Sequence, residues 1–594
     1  MLLAASVLLL SPAAAPALDR LVLSAPAAPE DLRASLRASS LLIEAEAAGR
    51  TDAQNLVAAA KADYARLIGT LYAEGYYSSV ISIRLDGREA AEIAPLDVPD
   101  RIDEVRIMVD PGPRFRFSAA RMKPYARGTD LPPDYRDTLP AKSTAITAAA
   151  KAGIEGWRAL GHAKAALADQ VVIADHRTAT VDSEILLDPG PLVRFGAVHM
   201  SGQKRMRLDR LAKIAGFPAG EVYHPDKIAR VAKRLRDTGV FRSVAVTEAE
   251  RLGPGDTLDV DIALVEEKPR RYGVGAEIST TEGLNLSGYW LHRNLLGGAE
   301  RLRIGGEINR IGAAGNPIGY SLAIRLDRPA TPVTDASAFL SLGARQTDLF
   351  DTTLHVGEIE FGLVRPFGDT LTAEAGLSWG AVQADYPWGA RDYQRLALPL
   401  RLTSDRRDSP LDPVKGTYLA AGIAPFLGFG QTGSGARITA DLRAYRAFGE
   451  KDRLVLAGRA QLGTIVGPSL IETPPDYLFF SGGGGTVRGQ PYQSLGVPLT
   501  VGATTITTGG QSLAALSGEA RMRITDAIGA VAFYDTAYVS DGEAWGGAGA
   551  WHAGAGIGLR YQTGIGPIRF DVAAPVSGAT GNGIQFYLGI GQAF

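Results

Sequence analysis

The sequence predicts an α+β set of small modules followed by an all-β transmembrane barrel of about 16 antiparallel strands. Three observations carry that expectation. A unit of helix, strand, turn and strand recurs three times before residue 270, and a recurring period is the signature of modular architecture. After Pro269 the helical stripes vanish and short segments alternate apolar with polar residues between turns, the period of a β-strand. No interior run reaches the roughly 18 apolar residues that a helical membrane span needs.

Bulk properties narrow the function classes. At 594 residues the chain exceeds one compact core. With 62 basic and 64 acidic residues the net charge is −2, which offers neither a nucleic-acid footprint nor a single-sign steering field. There is no cysteine. That excludes disulfides, thiolate metal sites and cysteine nucleophiles, and suits a chain crossing an oxidising compartment. The 70 glycines stand well above the usual ~7%.

In chain order, residues 1–17 read as a signal peptide. The apolar stretch from Met1 to Leu10 is followed by Ala15-Pro16-Ala17, whose small residues fit a signal-peptidase site, although the usual positive n-region is missing. Export is therefore expected.

Three modules follow, at 18–113, 114–191 and 192–269, each expected to be βααββ-like. The helices end at Glu74-Gly75-Tyr76, Leu160-Gly161-His162 and Thr238-Gly239-Val240, each glycine standing where a helix end needs the left-handed conformation. Two closing strands run into the same punctuation, Asp110-Pro111-Gly112-Pro113 and Asp188-Pro189-Gly190-Pro191, and the third ends at Glu267-Lys268-Pro269. In the helix from Asp226 to Asp237, Ile228, Val231 and Leu235 form one stripe opposite lysines and arginines. Small mixed units with an exposed strand edge can add a strand from an extended client or partner; as mere spacers they need no such edge. No catalytic residue, metal site or cofactor is expected: the seven histidines never pair at helical ligand spacing.

The barrel is expected over 270–594. In Ile568-Arg569-Phe570-Asp571-Val572 the apolar residues point one way and the charges the other. A membrane barrel turns the apolar face outward, whereas a soluble sandwich shows the same period reversed. At roughly 20 residues per strand and loop, the region allows about 16 strands, and closure removes the edges that lipid cannot satisfy. The presumed first strand, with Gly273, Val274 and Gly275, and the presumed last, with Leu588, Gly589 and Phe594, form a glycine-rich seam. Glycine weakens strands, so the seam is a candidate gate; glycines also simply fit a crowded wall.

Within the barrel, Ser481-Gly482-Gly483-Gly484-Gly485-Thr486-Val487-Arg488-Gly489-Gln490 delivers one arginine on a glycine-rich loop. Such an arginine can offer its planar fork to one carboxylate, though glycine-rich runs are also ordinary linkers.

Four stretches together resemble the outer-membrane protein assembly superfamily (BamA/TamA-like), nearest its TamA type with three POTRA domains and a 16-stranded barrel. They are Tyr272-Gly273-Val274-Gly275 through Leu302, Asp405-Arg406-Arg407-Asp408-Ser409-Pro410, Phe479-Phe480-Ser481-Gly482-Gly483 with Val487-Arg488-Gly489, and Ile565-Gly566-Pro567-Ile568-Arg569-Phe570-Asp571. The resemblance implies that Val487, Arg488 and Gly489 form the loop-6 motif, and that Arg488 meets an acidic residue in the lumen. The matching acid is Asp535, in Phe533-Tyr534-Asp535-Thr536-Ala537. Gln490 stands where the family has an aromatic residue, Ala537 where it has glycine, and Gln592 where an apolar residue is usual. The resemblance further implies a non-enzymatic outer-membrane assembly or translocation factor with its POTRA-like modules in the periplasm and the seam as a lateral gate. Its partners would be unfolded outer-membrane protein clients such as autotransporters, a TamB-like periplasmic partner and outer-membrane lipid. A two-partner-secretion transporter is the alternative within the superfamily, and a passive porin with a scaffold the alternative outside it.

Overall fold

The second and third modules each begin where the helix-end glycine of the preceding one hands its carbonyl to the next strand. The amide of Phe115 donates to the Gly75 carbonyl at 2.8 Å, and that of Val193 to the Gly161 carbonyl at 2.9 Å. Gly75, Gly161 and Gly239 have φ of 89°, 103° and 67°, the left-handed geometry in which a side chain is strained. Asp110 and Asp188 accept from the amides of Gly112 and Gly190 at 3.1 and 3.0 Å, so the repeated punctuation is one repeated turn.

The computed structural model describes residues 18–594 except 95, 280–282, 313–317, 350–351, 565, 579, 582 and 593. The expected signal peptide 1–17, with Ala15-Pro16-Ala17, lies outside the described residues, as does Ile565 of the family-like stretch. Two compact units divide the chain, one of 1–199, 218–229 and 247–261, the other of 200–217, 230–246 and 262–594.

The first module sets helices Glu30–Ser39, Leu41–Ala47 and Ala53–Ala73 on a sheet ordered Arg20–Ser24, Glu104–Asp110, Val80–Leu85, Arg88–Glu89. Its core is Leu36, Leu56, Leu67, Leu71, Ile83 and Ile107. The second orders its strands Arg116–Lys123, Thr180–Asp188, Ala166–Asp175. Here the expected βααββ order fails: among the described residues this module has one helix, Ser143–Ala159. The segment that would hold the other contains Pro124, Gly128, Pro132 and Pro133, which cannot sustain a helical hydrogen-bond ladder. The strand Ala166–Asp175 is an edge, exposed on both faces over its first eight residues. The third module has strands Arg194–Ser201, Thr257–Glu266 and Phe241–Glu248 with helices Leu208–Ala215 and Pro225–Asp237.

The barrel closes on seventeen strand segments. Gly389–Ala397 and Leu400–Asp405 both lie between Leu371–Tyr386 and Gly416–Gly430, so they are one strand interrupted at Pro399, which has no amide hydrogen to give. The wall therefore has sixteen antiparallel strands, counted here from the first, Arg270–Ser279, to the sixteenth, Gln585–Ile590. Phe361, Leu377, Leu427 and Ile557 stand half or more exposed on the outside, while Glu519, Arg521, Asp535, Arg560 and Asp571 are buried within. This is the apolar-out, polar-in order of a membrane barrel and the reverse of a soluble sandwich.

In the second unit, helix residues of the third module meet barrel turns at the end nearer Arg270. The Arg207 amide donates to the Gly297 carbonyl at 2.8 Å, and Arg210 Nη2 to the Pro329 carbonyl at 2.6 Å. Arg234 grips Asp335 through Nε and Nη2 at 2.6 and 3.0 Å.

Candidate functional site

The loop 467–511 joins the eleventh strand, Leu454–Val466, to the twelfth, Ser512–Arg523, and folds back into the lumen. What brings it in is an apolar face. Leu478, Phe479, Val487, Leu495 and Val497 pack with Phe426, Ile465, Leu513, Ala515, Ala537 and Val539 of the inner wall. A hairpin within the loop, Val497–Val501 with Thr504–Thr508, adds Leu499 and Ile506 against Val356, Val382 and Tyr393. Burial of this kind is worth roughly 1.5–3 kcal/mol per large side chain, so the loop is a folded plug, not a linker.

The turn that carries Arg488 lies flat on the wall. Gly482, Gly483 and Gly489 take φ of 114°, 83° and 90°. A Cβ on Gly489 would sit 2.6 Å from the Ala574 carbonyl, and one on Gly554 of the fourteenth strand 1.9 Å from the Arg488 carbonyl. Both glycines are required by close approach of two backbones.

Arg488 is 2% exposed. Its Nε and Nη2 donate to Asp535 Oδ2 and Oδ1 at 2.7 and 3.0 Å, and its own amide donates to Oδ2 at 3.1 Å. Its Nη1 reaches Glu519 Oε1 at 2.7 Å and Asp571 Oδ2 at 3.4 Å. The guanidinium lies 3.6 Å from the centre of the Phe533 ring. Two further arginines complete the cluster. Arg521 Nε donates to Glu519 Oε2 at 2.7 Å, and Arg560 pairs with Asp571 Oδ1. Three cations thus face three carboxylates, all buried, an arrangement that compensates desolvation only because every carboxylate meets a guanidinium. The glycines of the fourteenth strand make the room: a Cβ on Gly556 would meet Phe533 at 2.4 Å, and one on Gly558 would meet Asp571 at 2.0 Å.

The expected residues Val487, Arg488, Gly489 and Asp535 therefore lie together. Glu519, Arg521, Arg560 and Asp571 were not among the site residues expected from sequence, though Asp571 falls in a stretch read as inward-pointing. Gln490 replaces an aromatic contact with hydrogen bonds: its Nε2 donates to the carbonyls of Ala553 and Ser577 at 2.8 and 3.0 Å. Ala537, in place of glycine, is fully buried in the apolar cluster.

The far end of the loop has a second anchor. Asp476 accepts from Arg395 Nη1 and Nη2 at 3.2 and 2.8 Å, with Arg345 at 3.4 Å, and Arg395 lies 4.0 Å over the Tyr477 ring. Here the loop supplies the carboxylate and the wall the arginine.

The seam is built differently. Among the described residues, the first and sixteenth strands pair only at Ile278 with Leu588 and Ser279 with Tyr587. Gly273, Val274 and Gly275, expected at the seam, are in register with Tyr289, Gly288 and Ser287 of the second strand, and Val274 is 93% exposed. Gly589 leaves space for Arg569, which passes over it to Glu277 at 3.1 Å. Phe594 is not a seam residue, contrary to expectation. The sixteenth strand ends at Ile590, Gly591 takes φ 90°, and Phe594 is buried beside Tyr445 and Ala457 on the tenth and eleventh strands. Removal of an aromatic ring from water inside the lumen favours that course over continued pairing.

One contact resembles catalytic chemistry. Ser481 Oγ lies 2.8 Å from His552 Nε2, and His552 Nδ1 lies 2.9 Å from Thr580 Oγ1. The third group is a hydroxyl without charge, and Ser481 and His552 are 1% and 0% exposed. A nucleophile needs an oriented base and access to substrate, so this chain of hydrogen bonds is structural. No cluster of metal-ligating side chains occurs among the described residues.

Against known proteins, the Omp85 superfamily domain matches residues 294–594, and the POTRA family described as a surface antigen variable number repeat matches 193–267. Among solved structures, the chain is similar to BamA from Haemophilus ducreyi lacking POTRA domains 1–3, at 16% identity and a TM-score of 0.62, over 80% of this chain and 100% of that one. It is also similar to CdiB from Acinetobacter baumannii, at 12% identity and a TM-score of 0.51, over 81% and 90%. At these identities the likeness is one of fold.

Proposed function

The chain belongs to the Omp85 superfamily, an outer-membrane β-barrel with periplasmic POTRA modules, and from that premise we propose that it helps insert or translocate outer-membrane proteins such as autotransporters. In this reading the POTRA-like modules receive unfolded clients or a TamB-like periplasmic partner, as in a TamA-type protein. Arg488, paired with Asp535 inside the Val487-Arg488-Gly489 motif, holds the loop in its working position. The seam opens toward lipid as a lateral gate. The protein is not an enzyme.

The observation that carries this reading is the poverty of the seam. Among the described residues, two residue pairs join the first and sixteenth strands, whereas the twelfth and thirteenth are in register from Ser512 with Ser540 to Arg523 with Gly529. Each ladder step forgone leaves an edge able to accept another strand. The exposed edge Ala166–Asp175, with Leu167, Val171, Val172 and Ile173 open to water, supports capture of an extended chain by strand addition.

A disulfide across the seam tests the proposal in this cysteine-free chain. Ile278 and Leu588 are the pair in register; Val274, four residues along, is not opposite Leu588. With Ile278→Cys and Leu588→Cys, oxidation is expected to abolish client assembly in reconstituted membranes and reductant to restore it. Undiminished assembly by the oxidised protein would overturn lateral opening. A second reading, polypeptide export through the lumen as in a two-partner-secretion transporter, rests on the space left beside the plug. A cavity of about 500 Å³ lined by Glu307, Arg310, Arg345 and Asp476 lies there. In that case the oxidised seam leaves export intact.

A further inference from the structure

Resting on the gate reading above, we propose that Arg521, Arg560 and Gln592 are positioning residues that tie the lumen arginine to the last residues of the sequence, so that release of the loop and release of the sixteenth strand are one event. Three routes run from the loop to that strand and its continuation. The Gly489 amide donates directly to the Tyr587 hydroxyl at 3.1 Å. Glu519, shared by Arg488 and Arg521, leads to the Phe594 carbonyl, which accepts from Arg521 Nη2 at 3.1 Å. Asp571, shared by Arg488 and Arg560, leads to Gln592, whose Oε1 accepts from Arg560 Nε at 2.8 Å.

The third route continues across the barrel mouth. Gln592 Nε2 donates to Asp412 Oδ1 at 2.9 Å, and Gln562 Nε2 to Asp412 Oδ2 at 2.9 Å. Asp412 belongs to the turn between the eighth and ninth strands, on the wall far from the seam. The Gln592 amide also donates to the Leu411 carbonyl at 3.0 Å. That turn thus clasps the residues following the sixteenth strand and holds them inside the lumen. An apolar residue at 592 could join neither Arg560 nor Asp412. The glutamine is the group with both an acceptor and a donor to bridge a cation and a carboxylate.

The coupling follows from burial. Arg521 and Arg560 are 6% and 3% exposed. If Arg488 leaves, Glu519 and Asp571 each lose a compensating cation, and the remaining arginines must shift toward them, away from Phe594 and Gln592. If the tail leaves, the two arginines lose acceptors that water cannot replace at that depth. Each departure lowers the cost of the other, the reciprocity of linked equilibria.

The test is Gln592→Leu in the full chain in membranes, with two readouts. The first is the rate of seam disulfide formation between Ile278→Cys and Leu588→Cys. The second, in a separate background, is the electron-spin distance distribution between labels at Gly485, where an added Cβ meets nothing within 4 Å, and Glu450 on an exposed turn. Loss of hydrogen bonds to charged partners lets the sixteenth strand part more often from Ile278, its neighbour in the closed seam, and is expected to slow the disulfide by up to about tenfold and to add a second, displaced population to the loop distances. Asp412→Asn, which leaves Arg560 on Gln592, is expected to move both readouts in the same direction by less, and serves if Gln592→Leu does not fold. A slower seam disulfide with an unchanged loop distribution would overturn the coupling, and a disulfide rate that does not fall would overturn the clasp. Neither outcome bears on client assembly by the parent protein, so failure here is distinct from failure of the gate reading.

Discussion

Two stretches of the same wall are built on opposite principles. Beneath Arg488, the twelfth to fifteenth strands are paired along nearly their whole length and stitched by six buried charges. At the seam, among the described residues, two residue pairs and one ion pair, Arg569 with the half-exposed Glu277, join the first strand to its neighbours on that side. Each kind of interaction has its place. Buried complementary charges fix a unique arrangement because no partial rearrangement leaves them satisfied. An exposed pair across a short ladder costs little to break, which suits a joint that must part and close again.

The contrast predicts a large asymmetry on mutation. Asp535→Ala leaves Arg488 without its bidentate partner at 2% exposure, and a buried charge so orphaned costs about 3–5 kcal/mol. The variant is expected to lose heat-resistant mobility on detergent gels at markedly lower temperature and to expose the loop to protease. Unchanged resistance would put the ordering of the lumen elsewhere. At the other extreme, Glu277→Ala removes a carboxylate whose side chain is 51% exposed, and is expected to shift stability by less than about 1 kcal/mol while slowing seam disulfide formation. A stability loss comparable to that of Asp535→Ala would erase the distinction between the two regions.

Much of this was legible in the sequence, and the parts that were not have physical reasons. The barrel and its apolar-out face followed from period-two segments, and the glycine run around Arg488 marked a loop that lies on another backbone. The cluster's other members were harder to see. Glu519, Arg521 and Arg560 alternate with apolar residues as any lumen-facing polar side chain does, and nothing local says that they converge. A signal was present in Gly554-Ala555-Gly556-Ile557-Gly558, whose inward-facing glycines leave room for the Arg488 backbone, the Phe533 ring and the Asp571–Arg560 pair. Register at the seam was hidden for a different reason. In the first strand Gly273 and Gly275 leave part of one face without side chains, and a strand without a patterned face does not specify its partner; the structure sets Ile278 opposite Leu588. Phe594 read as the end of a strand because its aromatic ring fits lipid as well as lumen; the turn at Gly591 decides between them. In the second module the expected helix gave way to a proline-rich segment whose breakers stand at 124, 132 and 133.

The most direct measurement of the central contrast is amide hydrogen exchange on the protein in lipid bilayers, resolved by strand. If the wall under Arg488 is the fixed half and the seam the working half, amides of Arg270–Ser279 and Gln585–Ile590 exchange on the order of a hundredfold faster than those of Ser512–Arg523 and Ile528–Ser540. Equal protection across the seam and the charged wall would contradict the account.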